Sequence, residues 1–238
     1  MERILGIDEA GRGSVLGPLV VGGFLLRSDR LEALRATGAR DSKELSPSAR
    51  EQVYAKLPTV GECRSVVLTP REIDRFVAHG RLNELEARAF GSLVRLLSPD
   101  VAHVDACDTD ADRFGRRVAH WAGSSARVEA CHHADRDDVV VGAASIVAKV
   151  RRDRAIDRLR HRLGREIGSG YPSDRRTVEF LRDYLAHSAA PPPWVRKEWA
   201  TMQRVKPERP GPTLDAFGDD GGRDPRIAGR PVQPARDP

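Results

Sequence analysis

The N-terminal stretch joins a short apolar run to two acids and a glycine-flanked arginine, and this junction limits how the chain can fold. Residues 4–7 favour a buried strand, Asp8 and Glu9 follow directly, and Gly-Arg-Gly at 11–13 predicts a tight turn where the backbone can approach a ligand. Neighbouring strand residues face opposite ways, so Asp8 and Glu9 can share a site only where the strand bends or ends. Taken alone, the pair is equally typical of surface charges at a strand end.

The charge distribution favours a polyanionic partner. The chain has 238 residues, of which 39% are apolar and 32% charged, and its net charge is +5. This length supports one large domain or one domain with an appendage. Residues 205–238 carry six cations and six anions, so the positive excess lies in the body of the chain. A basic body around clustered acids indicates a polyanionic substrate held over metal ions.

The cysteines and the apolar runs predict a cytoplasmic protein without a membrane segment, which we expect to be monomeric. Cys63, Cys107 and Cys131 are odd in number and widely spaced, so they are expected to be reduced thiols. Cys131, His132 and His133 lack a second ligand pair at zinc-finger spacing, so zinc is not expected. The apolar runs are too short to span a bilayer, and the first strand starts too early to leave room for a signal peptide.

Strand-like and helix-like segments alternate after two adjacent N-terminal strands, which are expected to be antiparallel. This alternation predicts an α/β fold with a mixed β-sheet flanked by helices. Beyond residue 205 the chain is rich in proline and glycine without apolar period, which predicts a disordered tail at 206–238. We therefore expect one folded domain over residues 1–205, with a helical C-terminal part from about residue 165. The later strands are predicted at 18–26, 64–68, 101–104 and 127–131, and the main helices at 83–97, 111–121, 139–163, 174–187 and 194–205.

Acidic residues recur at the predicted strand ends. Asp105 follows the strand 101–104, and Asp135 lies in a predicted loop after the strand 127–131. Ligands of α/β sheets bind at the carboxyl ends of strands, so these acids are expected to meet Asp8 and Glu9. Converging carboxylates repel one another unless a cation joins them. An all-oxygen set favours Mg²⁺ or Mn²⁺, and two such ions about 3.5–4 Å apart suit in-line displacement at phosphorus.

The acid spacing alone fits a nuclease, a phosphatase or a phospho-receiver domain. The basic body favours the nuclease, and the second half of the helix 139–163 is rich in arginine, as either a nucleic-acid surface or a solvated face. Other acids are interpreted as helix caps or solvated charges, and some hydroxyl and imidazole groups as structural or supporting groups. These acids are Asp108, Asp110, Asp112, Asp137 and Asp138, and the other groups are Ser14, Ser145, His132 and His133.

Six motifs stand in the order seen in type 2 ribonucleases H, and the chain resembles this ribonuclease HII family over about residues 1–205. The motifs are Gly-Ile-Asp-Glu-Ala-Gly-Arg-Gly at 6–13, Asp-Ser-Lys at 41–43, Val-Asp at 104–105, His-Ala-Asp at 133–135, Ala-Ala-Ser-Ile-Val-Ala-Lys-Val at 143–150 and Gly-Ser-Gly-Tyr-Pro-Ser-Asp at 168–174. The stretch 104–108 and the C-terminal region resemble the archaeal branch of the family.

The resemblance implies a ribonuclease H-like fold whose catalytic domain covers residues 1–205. It implies an endonuclease that hydrolyses the RNA strand of RNA–DNA hybrids and incises 5′ to single ribonucleotides in duplex DNA. Two Mg²⁺ or Mn²⁺ ions would support this hydrolysis, which leaves 3′-OH and 5′-phosphate ends. The catalytic and metal-binding carboxylates implied by the resemblance are Asp8, Glu9, Asp105 and Asp135.

The resemblance also implies substrate contacts. The glycine loop matches the family's contact to the ribose 2′-OH, the group that distinguishes RNA from DNA. Tyr171 matches the tyrosine that packs on the following sugar, although on its own it would be interpreted as a core tyrosine. Lys149 is predicted on the helix after Asp135, where it can either approach phosphate or lie on the helix surface. The substrate-binding set is Gly11, Arg12, Gly13, Ser42, Lys43, Lys149 and Tyr171.

The predicted tail contains a segment similar to a sliding-clamp-binding peptide. Leu214 precedes the aromatic Phe217 by three residues, a spacing that suits one helical turn docked in an apolar pocket. Gly211 stands where glutamine is usual and Gly218 replaces a second aromatic residue, so an inert tail is the alternative.

The sequence disfavours three other classes of function. The complete carboxylate set argues against a ribonuclease H-like binding module that has lost catalysis. A type 3 ribonuclease H would carry an added N-terminal domain, for which the early first strand leaves no room. The basic helix disfavours a small-molecule phosphatase.

Overall fold

The first strand, β1 (Arg3–Ala10), lies in the middle of a five-stranded mixed sheet with the order β3-β2-β1-β4-β5. In this computed structural model, which describes residues 1–39, 45–188 and 190–205, β1 pairs antiparallel with β2 (Leu19–Arg27) and parallel with β4 (Val101–Asp105). Strand β3 (Glu62–Leu68) is antiparallel to β2, and β5 (Arg127–Cys131) is parallel to β4. The predicted mixed sheet is confirmed.

Nine α-helices surround this sheet in the described part of the chain. They are α1 (Leu31–Ala36), α2 (Pro47–Lys56), α3 (Pro70–Val77), α4 (Leu82–Leu97), α5 (Ala111–Ala122), α6 (Ala134–Asp137), α7 (Val139–Leu163), α8 (Arg175–Ala186) and α9 (Ala200–Val205). Within the described ranges, no helix is long and apolar enough to cross a membrane.

The alternation of side chains along β1 assigns its two faces to different helices. Leu5 and Ile7 pack into a core with α4 and α5, whereas Ile4 packs into a second core with α7. Since successive residues alternate, Asp8 is expected on the α7 side of the sheet and Glu9 on the α4 side.

Small residues let α7 lie directly on the sheet. A Cβ at Gly6 would come within 2.3 Å of the Val140 carbonyl oxygen, and one at Gly22 within 2.4 Å of the Ala144 carbonyl oxygen. Only glycine at these two strand positions permits such close helix–sheet contact. This packing brings the start and middle of α7 to the end of β1.

The C-terminal part packs against the segment that follows β1. Leu16 forms an isolated antiparallel bridge with Val195, and both belong to a third core with α8 and α9. The expected helix over 194–205 is therefore wrong in its first half, because the backbone there pairs with residue 16 and only Ala200–Val205 is helical. The tail at 206–238 lies outside the described residues, so the proposed boundary at 205 stays a prediction.

Candidate active site

Three of the four predicted carboxylates meet at the carboxyl ends of β1, β4 and β5. One oxygen each from Asp8, Asp105 and Asp135 lies within 4.8 Å of those of the other two. The sheet register explains this meeting, because Ile7 pairs with Val104 and Asp105 pairs with Cys131 on neighbouring parallel strands. We call these three residues the carboxylate cluster.

Asp135 reaches the cluster from a helix rather than from the predicted loop. It lies in the single turn α6, which starts three residues after the end of β5, and it is 2% exposed. The turn is held in place by the backbone N–H of Ala134, which donates to Asp105 Oδ1 at 3.2 Å.

Asp8 is buried and faces α7, as the strand alternation requires. Burial, with a smaller contribution from the Asp105 charge, raises the pKa of Asp8, and a hydrogen bond with Ser145 and the charge of Lys149 oppose this rise, so that the pKa is about 6. Lys149 Nζ donates to Ser145 Oγ at 2.8 Å, and the backbone N–H of Glu9 donates to Asp8 Oδ1 at 2.7 Å. Lys149 is therefore half-buried beside the cluster and not an open surface lysine.

Glu9 is not part of the three-residue cluster. Its side chain lies on the α4 side, where burial first and then the negative charges of Asp8, Glu86 and Asp105 hold its pKa well above the usual value. Glu9 thus shares the electrostatic field of the cluster from the opposite face of β1. Both acids lie inside β1, which continues to Ala10, so strand alternation separates their side chains and the expectation that Glu9 joins the same cluster stays a prediction.

The donor set fits a hard divalent cation. Three carboxylates this close repel one another, and a cation between them removes the repulsion. Among the described residues, no histidine or cysteine joins the group, and oxygen-only ligands suit Mg²⁺ or Mn²⁺ better than zinc. The cluster can therefore hold a metal ion.

A buried arginine that sequence reasoning missed holds the glycine loop at 11–17. Arg196 is fully buried and donates from Nη2 to the Gly11 carbonyl at 2.6 Å, from Nη1 to the Arg12 carbonyl at 2.8 Å and from Nε to the Gly17 carbonyl at 3.2 Å. Gly11 has φ +87°, a conformation that favours glycine. A Cβ on Gly13 would meet no atom within 4 Å, so this end of the loop is open to a ligand.

The side chain of Arg12 points away from the loop toward α4. Its Nε donates to both carboxylate oxygens of Glu86, at 2.9 and 3.1 Å, and its Nη2 donates to Asn83 Oδ1 at 2.6 Å. The Arg12 side chain is 37% exposed, whereas that of Glu86 is fully buried. Sequence reasoning missed Glu86, although its position four residues before Phe90 on an apolar helix face is a signal that could have found it.

The loop that carries Tyr171 lies against the glycine loop. The Gly170 carbonyl accepts from the backbone N–H of Val15 at 2.8 Å and of Leu16 at 3.1 Å. Arg152 donates to Ser14 Oγ at 3.0 Å and to the Ser169 carbonyl, and its guanidinium lies 4.4 Å from the centre of the Tyr171 ring. Tyr171 is half-buried on this cation and lies outside the hydrophobic cores, so the core interpretation is wrong.

The arginines of α7 do not form one continuous solvated face. Arg152 is 4% exposed and joins the two loops, Arg154 pairs with Glu51, and Arg160 pairs with Asp157 and Glu166. Ser42, Lys43, Leu214 and Phe217 lie outside the described residues, so the structure does not place them.

Two of the other acids are helix caps, and a third is a buried ion-pair partner. Asp110 accepts from the Arg113 backbone N–H at 2.8 Å, and Asp138 accepts from the Val140 backbone N–H at 2.7 Å. Asp108 is 4% exposed and binds Arg113, which holds the pKa of Asp108 well below its usual value. The expectation of a cap or a solvated charge is therefore wrong for Asp108.

Comparison with known proteins gives the same result at three levels. The family model "Ribonuclease HII" matches residues 5–202. A curated ribonuclease HII of Cenarchaeum symbiosum is 44% identical over 204 residues, which cover 85% of this chain and 98% of that protein. The crystal structure of the ribonuclease H2 from Pyrococcus horikoshii OT3 superposes with a TM-score of 0.79 at 40% identity, over 86% of this chain and 97% of that one.

A second solved structure is similar over more of the chain. It is the PCNA:RNase HII complex from Archaeoglobus fulgidus, with a TM-score of 0.78 at 37% identity over 90% of this chain and 100% of that one. These matches confirm the fold that the motif order implies and the archaeal branch that the stretch 104–108 and the C-terminal region indicate.

Proposed function

Because this chain belongs to the ribonuclease HII family of endoribonucleases, we propose that it hydrolyses the RNA strand of RNA–DNA hybrids and incises 5′ to single ribonucleotides in duplex DNA. The observation that carries this proposal is that Asp8, Asp105 and Asp135 meet within 4.8 Å at the sheet edge. The strand that holds Asp8 leads directly into the glycine loop. The products would be 3′-OH and 5′-phosphate ends.

The carboxylates would hold two divalent cations, Mg²⁺ or Mn²⁺. The proposed metal-binding and catalytic residues are Asp8, Glu9, Asp105 and Asp135. When bound, the ions supply activation of the attacking water and stabilisation of the leaving oxygen. Asp8 would stay ionised beside them because Ser145 and Lys149 favour its charged form, and α6 would orient Asp135 toward the same point.

Substrate selectivity would come from the two loops that Arg152 joins. We assign the ribose 2′-OH contact to Gly11, Arg12 and Gly13, because a glycine backbone lets donors and acceptors approach a sugar closely. Tyr171 would pack on the next sugar with the ring face that Arg152 does not cover. Lys149 would bind the scissile phosphate, and Ser42 and Lys43 the neighbouring backbone.

We further propose a protein partner for the C-terminal tail. The similar Archaeoglobus fulgidus ribonuclease HII was solved in a complex with PCNA. The segment containing Leu214 and Phe217 has the spacing of a clamp-binding peptide and follows the proposed catalytic domain. The monomeric state and the cytoplasmic location stay predictions.

One cleavage assay tests the activity. Labelled duplexes with one ribonucleotide, with an all-RNA strand or with DNA only are incubated with the protein, with Mg²⁺ or with excess EDTA. We expect cuts in the first two duplexes only, and only with Mg²⁺. Binding of the hybrid without any cut would instead support a binding module that has lost catalysis.

A further inference from the structure

The buried apolar face of helix α4 contains one charged residue, Glu86. Glu86 is 0% exposed and lies on the helix face that also buries Leu85, Phe90 and Leu93. A buried carboxylate is unfavourable unless it is paired and hydrogen-bonded, and an apolar residue of similar volume is often no less stable there. The presence of glutamate therefore points to a role other than helix packing.

The hydrogen-bond partners of Glu86 belong to two segments of the candidate site, the glycine loop and the residues that follow Asp105. Arg12 Nε donates to both of its oxygens, at 2.9 and 3.1 Å, and Cys107 Sγ donates to Oε2 at 3.2 Å. Arg12 lies between Gly11 and Gly13 in the glycine loop, and Cys107 lies two residues after Asp105. Glu86 is thus the point at which α4 is joined to both segments.

This contact holds the glycine loop in a way that the other contacts do not. Arg196 fixes the backbone through the carbonyls of Gly11 and Arg12, whereas Glu86 fixes the direction of the Arg12 side chain. No atom lies within 4 Å of a Cβ placed on Gly13, and the next side-chain contact after Arg12 is that of Ser14 with Arg152, so Arg12 is the side chain that holds the loop on the α4 side. The two carboxylate oxygens of Glu86 both accept from Arg12, and such a two-oxygen contact fixes the orientation of the guanidinium as well as its distance.

We propose that Glu86 is a positioning residue that holds Arg12, and with it the loop at 11–13, in the geometry that selects a ribonucleotide over a deoxyribonucleotide. The inference rests on the proposed function, in which this loop contacts the ribose 2′-OH. Glu86 itself does not touch the substrate.

The test compares the binding of two duplexes that differ by one 2′-OH. Dissociation constants are measured by fluorescence anisotropy in EDTA, so that neither duplex is cut, for the full chain and for Glu86→Gln. Glutamine keeps the volume but offers one acceptor in place of two, so we expect the preference for the ribonucleotide duplex to fall about tenfold, which is close to the lower limit for the loss of a charged hydrogen bond. The affinity for the all-DNA duplex should change less than twofold.

Glu84→Gln is the matched control, since it removes the same charge from the same helix but faces Arg88 instead. It should behave as the unaltered protein. An unchanged preference in Glu86→Gln, or an equal loss of affinity for both duplexes, would overturn the inference. An unaltered protein that binds both duplexes equally would instead contradict the proposed function.

Asn83→Ala decides the question if Glu86→Gln does not fold. Asn83 accepts from the Nη2 of Arg12 at 2.6 Å at the partly exposed end of the same contact, so its loss leaves the helix core intact. We expect a drop of about threefold in the ribonucleotide preference, because one of the anchors of Arg12 is removed. A preference equal to that of the unaltered protein would then refute the positioning role.

Discussion

The buried Arg196 should be the side chain whose loss most disturbs the glycine loop. The substitution Arg196→Met removes three donated hydrogen bonds and keeps an unbranched side chain in the space. Gly11 retains the Ser14 backbone N–H at 3.2 Å, but the structure shows no second donor for the Arg12 or the Gly17 carbonyl among the described residues. A buried acceptor without a donor costs about 1–3 kcal/mol, so two of them amount to about 2–6 kcal/mol.

Removing the guanidinium also relieves an unfavourable burial. Burial and the nearby Arg152 lower the pKa of Arg196 to about 9, which still leaves it charged at neutral pH. The desolvation penalty that disappears offsets part of the loss, so we expect a net destabilisation of about 3 kcal/mol. For a domain of this size, that corresponds to a fall in Tm of about 6–12 °C.

Urea unfolding followed by circular dichroism measures this loss, with Arg182→Met as the control because Arg182 is an exposed arginine on α8. The control should lie within about 0.5 kcal/mol of the unaltered protein. A destabilisation below about 1 kcal/mol in Arg196→Met would mean that water or other donors satisfy these carbonyls, and that Arg196 is not what holds the loop.

Four further predictions concern the site and the tail. Replacing any proposed metal-binding carboxylate by its amide should lower the cleavage rate about 10³-fold; the variants are Asp8→Asn, Glu9→Gln, Asp105→Asn and Asp135→Asn. Asp112 is exposed, so Asp112→Asn is the control and should cleave at the unaltered rate. Full turnover in excess EDTA would contradict the metal requirement. Tyr171→Ala should reduce incision at a lone ribonucleotide more than cleavage of a long hybrid, and equal losses would remove its assigned contact. Pairing between His103 and Asp138 raises the pKa of His103 and lowers that of Asp138, so the pair should stabilise the protein most between about pH 4 and 6.5 and less as pH rises through the raised pKa of His103. The urea midpoint of His103→Gln should therefore differ most from that of the unaltered protein at about pH 5. A difference that does not change with pH would refute the pairing. Deleting residues 206–238 should abolish binding to the cognate sliding clamp while short duplexes are still cut, and retained clamp binding would dismiss the tail peptide.

The carboxylate cluster was predictable because two regular patterns coincide there. Strand ends can be read from apolar runs, and parallel strands bring their carboxyl ends to one edge, so Asp8 and Asp105 had to be neighbours once β1 and β4 were paired. Asp135 joins the cluster as expected, although it lies in the helix α6 and not in the predicted loop. The few residues between the end of β5 and Asp135 keep it at this edge of the sheet in either conformation.

The anchors of the glycine loop could not be predicted in the same way. Arg196 binds carbonyls 179 to 185 positions earlier in the chain, and it does so from an irregular segment that has no periodic pattern. Its partners are backbone carbonyl oxygens, and because every residue has one, the sequence does not indicate which of them Arg196 binds. Glu86 differs, because a lone acid on an apolar helix stripe is visible in the sequence as a violation of the pattern, even though its partner is not.

The adjacent pair Asp8 and Glu9 shows how the two kinds of information combine. Strand alternation alone places one acid on the α7 side and the other on the α4 side, and the structure confirms both by their neighbours, Ser145 and Glu86. The site is therefore built on both faces of the end of β1, and each face has its own supporting helix. A substitution on α7 beside Ser145 should act mainly through Asp8, whereas one on α4 beside Glu86 should act through Glu9 and Arg12. Because Glu9 is one of the proposed metal-binding residues, a substitution on the α4 side should affect both metal binding and ribose selection, whereas one on the α7 side should affect mainly metal binding.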